Sequence, residues 1–121
     1  MKKPLVPIVI VLAFVVIGSF GWTTFAPGPY DDFAQCLEEN EVTFYGAFWC
    51  ENCDAQKQLF SKSAKKLPYV ECSPANGQGQ LQVCQDAGIE AYPTWEFADG
   101  SREPGVQSLE VLAERSGCQL P

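Results

Sequence analysis

The 121-residue chain contains no histidine. It holds one pair of cysteines separated by two residues, Cys50 and Cys53, and no second such pair. Both absences bear on metal binding. A C-x-x-C pair serves structural zinc when a second C-x-x-C or a C-x-x-H completes the tetrahedron, and neither exists here. Positive charge is also scarce, with 8 Lys and Arg against 15 Asp and Glu and a net charge of −7. A chain without a basic stripe is a poor candidate for binding nucleic acid. An acidic balance of this size reads as a solvated surface. The length allows one small domain and not two.

Charge is missing altogether from Pro4 to Tyr30, and Leu5 to Trp22 is almost wholly aliphatic or aromatic. Eighteen helical residues span about 27 Å, close to the hydrocarbon thickness of a bilayer. A cleaved signal peptide is one reading. Thr24 and Ala26 approach the small-residue cleavage pattern, but Pro27 would follow the cut, and Ser19 and Gly21 offer a weaker site. The favoured reading is an uncleaved signal anchor, with Lys2 and Lys3 retained in the cytoplasm and the rest of the chain outside. Trp22 suits the outer interface, and Pro4 and Pro7 lie near the start, where proline is tolerated. Pro27-Gly28-Pro29 ends any helix. Residues 1–29 are therefore expected to form an anchor and linker, and residues 30–121 a folded domain.

The cysteine pair sits at a junction. Val42 to Phe48 is rich in β-branched and aromatic residues and reads as a buried strand. Asp54 to Lys66 reads as an amphipathic helix with Ala55, Leu59, Phe60 and Ala64 inward. Cys50 would then occupy the first turn of that helix, with Cys53 one turn on. The first N–H groups of a helix lack internal partners, and the macrodipole adds positive charge there. Those groups would stabilise a thiolate at Cys50, the form that attacks disulfides, and would leave Cys53 to resolve the mixed disulfide. The alternative is half of a zinc site, which the missing partners disfavour.

Around this junction, Asp31 or Asp32 is expected to cap a helix over 33–40 with Phe33, Cys36 and Leu37 on one face. Leu67 to Cys72 reads as a strand, Ser73 to Gly79 as a loop, and Gln80 to Ala87 as a short helix ended by Gly88. Pro93 to Phe97 and Ser101 to Val106 read as a hairpin about Asp99-Gly100. Ser108 caps a last helix over 109–116, closed by Gly117, with Leu109, Leu112 and Ala113 inward.

In this order the chain resembles a thioredoxin-like fold: an α/β domain with a central mixed sheet flanked by helices, here preceded by a transmembrane helix. Within that superfamily it is most similar to the thioredoxin-like domain that accompanies bacterial vitamin K epoxide reductase homologues. The similarity lies in the segments at 44–50, 56–60, 69–72, 83–89, 92–95 and 107–110, spread over nearly all of residues 33–117. It implies that Cys50 attacks and Cys53 resolves. It further implies a cis peptide at Pro93 that sets the backbone of Tyr92 beside the disulfide, where a substrate chain can pair, with Trp49, Tyr92 and Pro93 contacting substrate. An ordinary proline at the start of a strand is the alternative for Pro93. No cofactor and no metal is called for.

The chain departs from its relatives in three ways. Glu51-Asn52 stands where such domains often carry Pro-His. The change removes a positive partner for the thiolate and adds a carboxylate, which points to a less oxidising couple. Phe44 occupies the position where thioredoxins carry a buried acid. The quinone-reducing four-helix partner domain is not expected in this chain, and a single expected span would not reduce a quinone by itself.

Four cysteines remain, an even number that in an exported chain points to disulfides. Cys72 and Cys84 flank a Gly-rich loop that can fold back, and closing it is worth about 3 kcal/mol in the chain-entropy treatment. Cys36 and Cys118 are then left for each other. Each could instead be a buried small hydrophobe, and Cys72 and Cys84 could serve as a redox relay. The expectation is a single-pass membrane protein whose thiol–disulfide oxidoreductase domain faces the periplasm or cell exterior. It would oxidise exported cysteine-containing clients and be recharged by a quinone-linked reductase of the vitamin K epoxide reductase type. The alternatives are a reductase or isomerase of the same fold, or a non-catalytic module in which Cys50–Cys53 is a static staple.

Overall fold

The computed structural model describes residues 26–121. The expected anchor and its signal-peptide alternative lie outside the described residues, among which no helix is long and apolar enough to cross a membrane. The elements run α1 (Asp31–Glu39), β1 (Thr43–Gly46), α2 (Glu51–Leu59), a 3-10 helix (Ser61–Lys66), β2 (Tyr69–Glu71), α3 (Gln82–Ala87), β3 (Thr94–Glu96), β4 (Arg102–Pro104) and α4 (Leu109–Ser116).

The four strands form one mixed sheet in the order β2-β1-β3-β4. β1 and β2 are parallel, with Phe44 opposite Tyr69 and Gly46 opposite Glu71. Parallel neighbours need a long crossover, and α2 with the 3-10 helix supplies it. β3 runs antiparallel to β1, with Trp95 opposite Phe44, and β4 closes the hairpin on β3.

Side chains alternate across the sheet, which separates two clusters. On one face Phe44 stacks on Trp95 with ring centroids 4.6 Å apart. Phe33 and Leu37 of α1, Cys53 of α2, Phe60 and Leu112 of α4 complete this larger core. Tyr45 and Val70 point the other way, towards Cys72, Cys84 and Ile89.

Several local expectations are corrected. The helix after the cysteine pair begins at Glu51 and stops at Leu59 rather than running to Lys66. Ser61 adopts φ +53°, outside the helical region, and the chain continues as a 3-10 helix. Its inward residues are Cys53 and Gln56, followed by Phe60, while Ala55 and Leu59 are exposed. α1 has Tyr30 rather than an aspartate at its N-cap, with no side-chain bond. Asp31 lies inside the first turn, where its carboxylate accepts the Gly28 N–H at 3.1 Å and pairs with Lys66 at 3.3 Å. The Ser63 hydroxyl, followed by the Gly28 N–H and Lys66, holds that carboxyl below its ordinary range. The segment expected to be a free linker packs on the domain from Gly28 onward. A Cβ at Gly28 would collide with Ser63 Oγ, and the Tyr30 N–H donates to the same oxygen at 2.8 Å.

Candidate active site

β1 ends at Gly46, and Ala47-Phe48-Trp49 turn the chain into α2. Cys50 occupies the N-cap, one residue earlier than expected, with φ −83° and ψ 115°. Its Sγ accepts the Cys53 N–H at 3.1 Å, so sulfur takes the place of the oxygen that usually satisfies a free donor at a helix start. Cys50 is 7% exposed and Cys53 is fully buried. The two thiols are thus unequal: Cys50 keeps slight exposure on a helix terminus, and Cys53 has none. Burial pushes the Cys53 thiol up to about 12, with the Cys50 hydrogen bond next in effect.

Aromatic residues form the rim. Phe48 and Trp49 are 50% and 51% exposed. Trp49 meets Tyr92 edge to face at 5.9 Å, and its Nε1 donates to Ser73 Oγ at 2.9 Å. The Tyr92–Pro93 peptide is cis, and Pro93 is buried directly before β3. The Tyr92 hydroxyl accepts from Gln80 Nε2 at 2.6 Å, and the same nitrogen donates to the Ile89 carbonyl at 2.9 Å.

Two disulfides lie outside this pair. Cys72 joins Cys84, with Cα atoms 5.5 Å apart. Cys36 joins Cys118 across 82 residues, holding α1 to the segment after α4. The loop closed by Cys72–Cys84 carries both Ser73 and Gln80, so one covalent loop steadies Trp49 and Tyr92 together. Among the described residues no group of three or more His, Cys, Asp or Glu is arranged to hold a metal.

Sequence reasoning missed Ser73, Gln80 and Gln56, which are polar residues whose partners lie far along the chain. It also missed the Tyr69 ring, which faces the same space beside Gly46 as Cys53 does. A glycine inside an apolar strand signals a close approach, and Gly46 is such a signal. A Cβ there would fall 2.8 Å from Tyr69 Cε2 and 3.1 Å from Cys53 Sγ.

No protein-family model matches the chain. The thiol-disulfide oxidoreductase LTO1 of Arabidopsis thaliana is 44% identical to it over 91 residues. A thioredoxin of Malassezia sympodialis, Mala s 13, is 24% identical with a TM-score of 0.42, over 74% of this chain and 88% of that one. The sheet order, the cysteine pair at the start of α2 and the buried proline before β3 decide the fold. The described residues form a mixed α/β unit of thioredoxin-like fold, a four-stranded sheet flanked by helices. The alignment with the plant oxidoreductase takes in 72% of this chain and spans about a quarter of that protein, 24% of its length.

Proposed function

We propose that this chain is a membrane-anchored, extracytoplasmic thiol–disulfide oxidoreductase that oxidises exported cysteine-containing clients. One observation carries the reading: the Cys50 sulfur caps a helix start and Cys50 keeps slight exposure, while Cys53 is fully buried. In the oxidised domain a client thiolate attacks Cys50 Sγ, and the Cys50–Cys53 bond breaks. Cys53 leaves as a thiolate and takes up a proton. A second client thiolate then attacks the client sulfur of the mixed disulfide and releases Cys50. Two electrons pass from the client dithiol to the pair, and a partner disulfide must take them away again. A quinone-linked reductase of the vitamin K epoxide reductase type is the proposed acceptor.

Trp49, Tyr92 and Pro93 are the proposed client contacts, because two of them are ordered by the loop that Cys72–Cys84 closes. The same bridge supports an oxidising compartment, since structural disulfides form and persist there. The relative named as a thiol-disulfide oxidoreductase supports the chemistry and leaves its direction open. The deciding experiment equilibrates the Cys50–Cys53 pair with glutathione buffers and follows oxidation of a reduced, unfolded client by the disulfide form. Client oxidation with a potential above that of thioredoxins supports the proposal. A strongly reducing potential with no client oxidation would assign the reductase role, which Glu51 in the first turn of α2 favours.

A further inference from the structure

The proposed cycle makes Cys53 gain or lose a proton at every turnover, yet Cys53 is fully buried. Phe44, on the core face of β1, is buried and stacked on Trp95, so that side of the site supplies no acid or base. The charged and titratable groups near Cys53 are Cys50 at the N-cap of α2 and Lys57 within that helix. β2 brings Tyr69, with Glu71 beside its phenol.

Gly46 makes the approach of β2 possible. The point where its Cβ would stand is 3.1 Å from Cys53 Sγ and 3.3 Å from the Tyr69 hydroxyl. Thiol and phenol therefore face the same space that a side chain at 46 would fill, no farther apart than the sum of those two distances, a gap that one bridging water spans. Behind the phenol, the Tyr69 hydroxyl donates to Glu71 Oε2 at 3.2 Å. The two residues are two apart on a strand and so lie on one face. Glu71 also accepts the Ser73 N–H at 3.3 Å, which fixes its carboxylate. Lys57 Nζ sits 4.0 Å above the Tyr69 ring and holds it from the other side.

We propose that Tyr69 and Glu71 form the proton path of Cys53, with Tyr69 as the hydroxyl beside the thiol and Glu71 as the acceptor behind it. This rests on Cys50–Cys53 being a working dithiol. When Cys53 resolves a mixed disulfide, its proton passes through one bridging water to the Tyr69 oxygen as the Tyr69 proton passes to Glu71 Oε2. The Cys53 sulfur bonds to Cys50 Sγ, the bound thiolate leaves, and Glu71 returns the proton to solvent. When Cys53 is expelled instead, the same path runs backwards and delivers a proton to it. Burial, followed by the Glu71 charge, pushes the Tyr69 phenol up, so it stays neutral and passes protons on.

The test mixes the reduced full chain with one equivalent of 5,5′-dithiobis(2-nitrobenzoate) in a stopped-flow instrument. The first thionitrobenzoate released reports attack by Cys50, and the second reports its expulsion by Cys53. Tyr69→Phe keeps the ring against Phe44 and beneath Lys57 while removing the hydroxyl. Glu71→Gln keeps the shape and removes the acceptor. Each is expected to slow the second phase at pH 7 by roughly a hundredfold, the low end for a positioned proton acceptor, with the first phase unchanged. In both variants the second phase should then rise in proportion to hydroxide towards the raised thiol value of about 12, whereas the unaltered protein shows a flatter profile. Equal second phases in all three proteins across pH overturn the proton path and leave the dithiol reading standing. Absence of a second phase in the unaltered protein overturns both. Should Glu71→Gln not fold, Tyr69→Phe decides the matter alone.

Discussion

Gln56 and Trp95, both fully buried, are joined through the core by a hydrogen bond of 3.0 Å from the indole N–H to the amide oxygen. The same oxygen accepts the Gln107 N–H at 2.7 Å, and the amide nitrogen donates to the Gln107 carbonyl at 3.0 Å. One side chain thus ties α2 to β3 and to the strand-to-helix connection before α4. Gln56→Leu would leave a buried indole N–H and a part-buried backbone N–H without partners, at up to about 1–3 kcal/mol each. The expected result is a loss of roughly 2–5 kcal/mol in urea unfolding, with helix content retained at low temperature. An unchanged midpoint would contradict the account.

The unequal burial of the two thiols gives a labelling prediction. Burial holds the Cys53 thiol up at about 12, so at pH 8 it stays almost wholly neutral. A short iodoacetamide pulse at pH 8 should therefore modify Cys50 and leave Cys53 unmodified by peptide mass spectrometry. Equal labelling of both thiols in the folded protein would remove the distinction between attacking and resolving sulfur.

Glu51 and Asn52 are both exposed in the first turn of α2. Replacing them by Pro-His removes a carboxylate from beside the helix N-terminus and adds a partly charged imidazole. The couple should become more oxidising when titrated against glutathione. A shift towards more reducing values would mean that charge at this dipeptide does not set the potential.

The Cys72–Cys84 bridge closes a sequence separation of 12, for which the chain-entropy treatment gives about 3 kcal/mol. Cys72→Ala combined with Cys84→Ala should lower the thermal midpoint while Cys50–Cys53 exchange continues in the folded protein. Loss of turnover at a temperature where the double variant remains folded would instead make this pair a relay.

Local signals carried much of the fold. Ser108 accepts the Val111 N–H at 3.2 Å and Gly117 takes the left-handed conformation, so α4 has the bounds that its capping residues mark. Gly88 ends α3 in the same way. The region after Cys53 was harder to read. A hydrophobic pattern counts Gln56 as outward-facing and Leu59 as inward-facing, whereas the buried amide is held by partners 39 and 51 residues away. The break at Ser61 depends on a backbone conformation that no glycine or proline announces. The cysteine pair itself was legible because strand, C-x-x-C and helix are contiguous. Its surroundings were not, because Ser73, Gln80 and Tyr69 reach it only after the chain has crossed the sheet.

The Cys36–Cys118 bridge fastens the first helix to the segment after the last one. Residues 27–29, 31–33 and 119–121 line one shared cleft of about 640 Å³. Both ends of the described domain therefore emerge at a single place, as termini that lie close together commonly do. A domain of this kind is modular: a neighbouring polypeptide can be spliced to its front or its back and still hold it at the same attachment point. Moving the tether from one end to the other would change the order of a gene fusion while leaving the orientation of the domain on its support nearly the same.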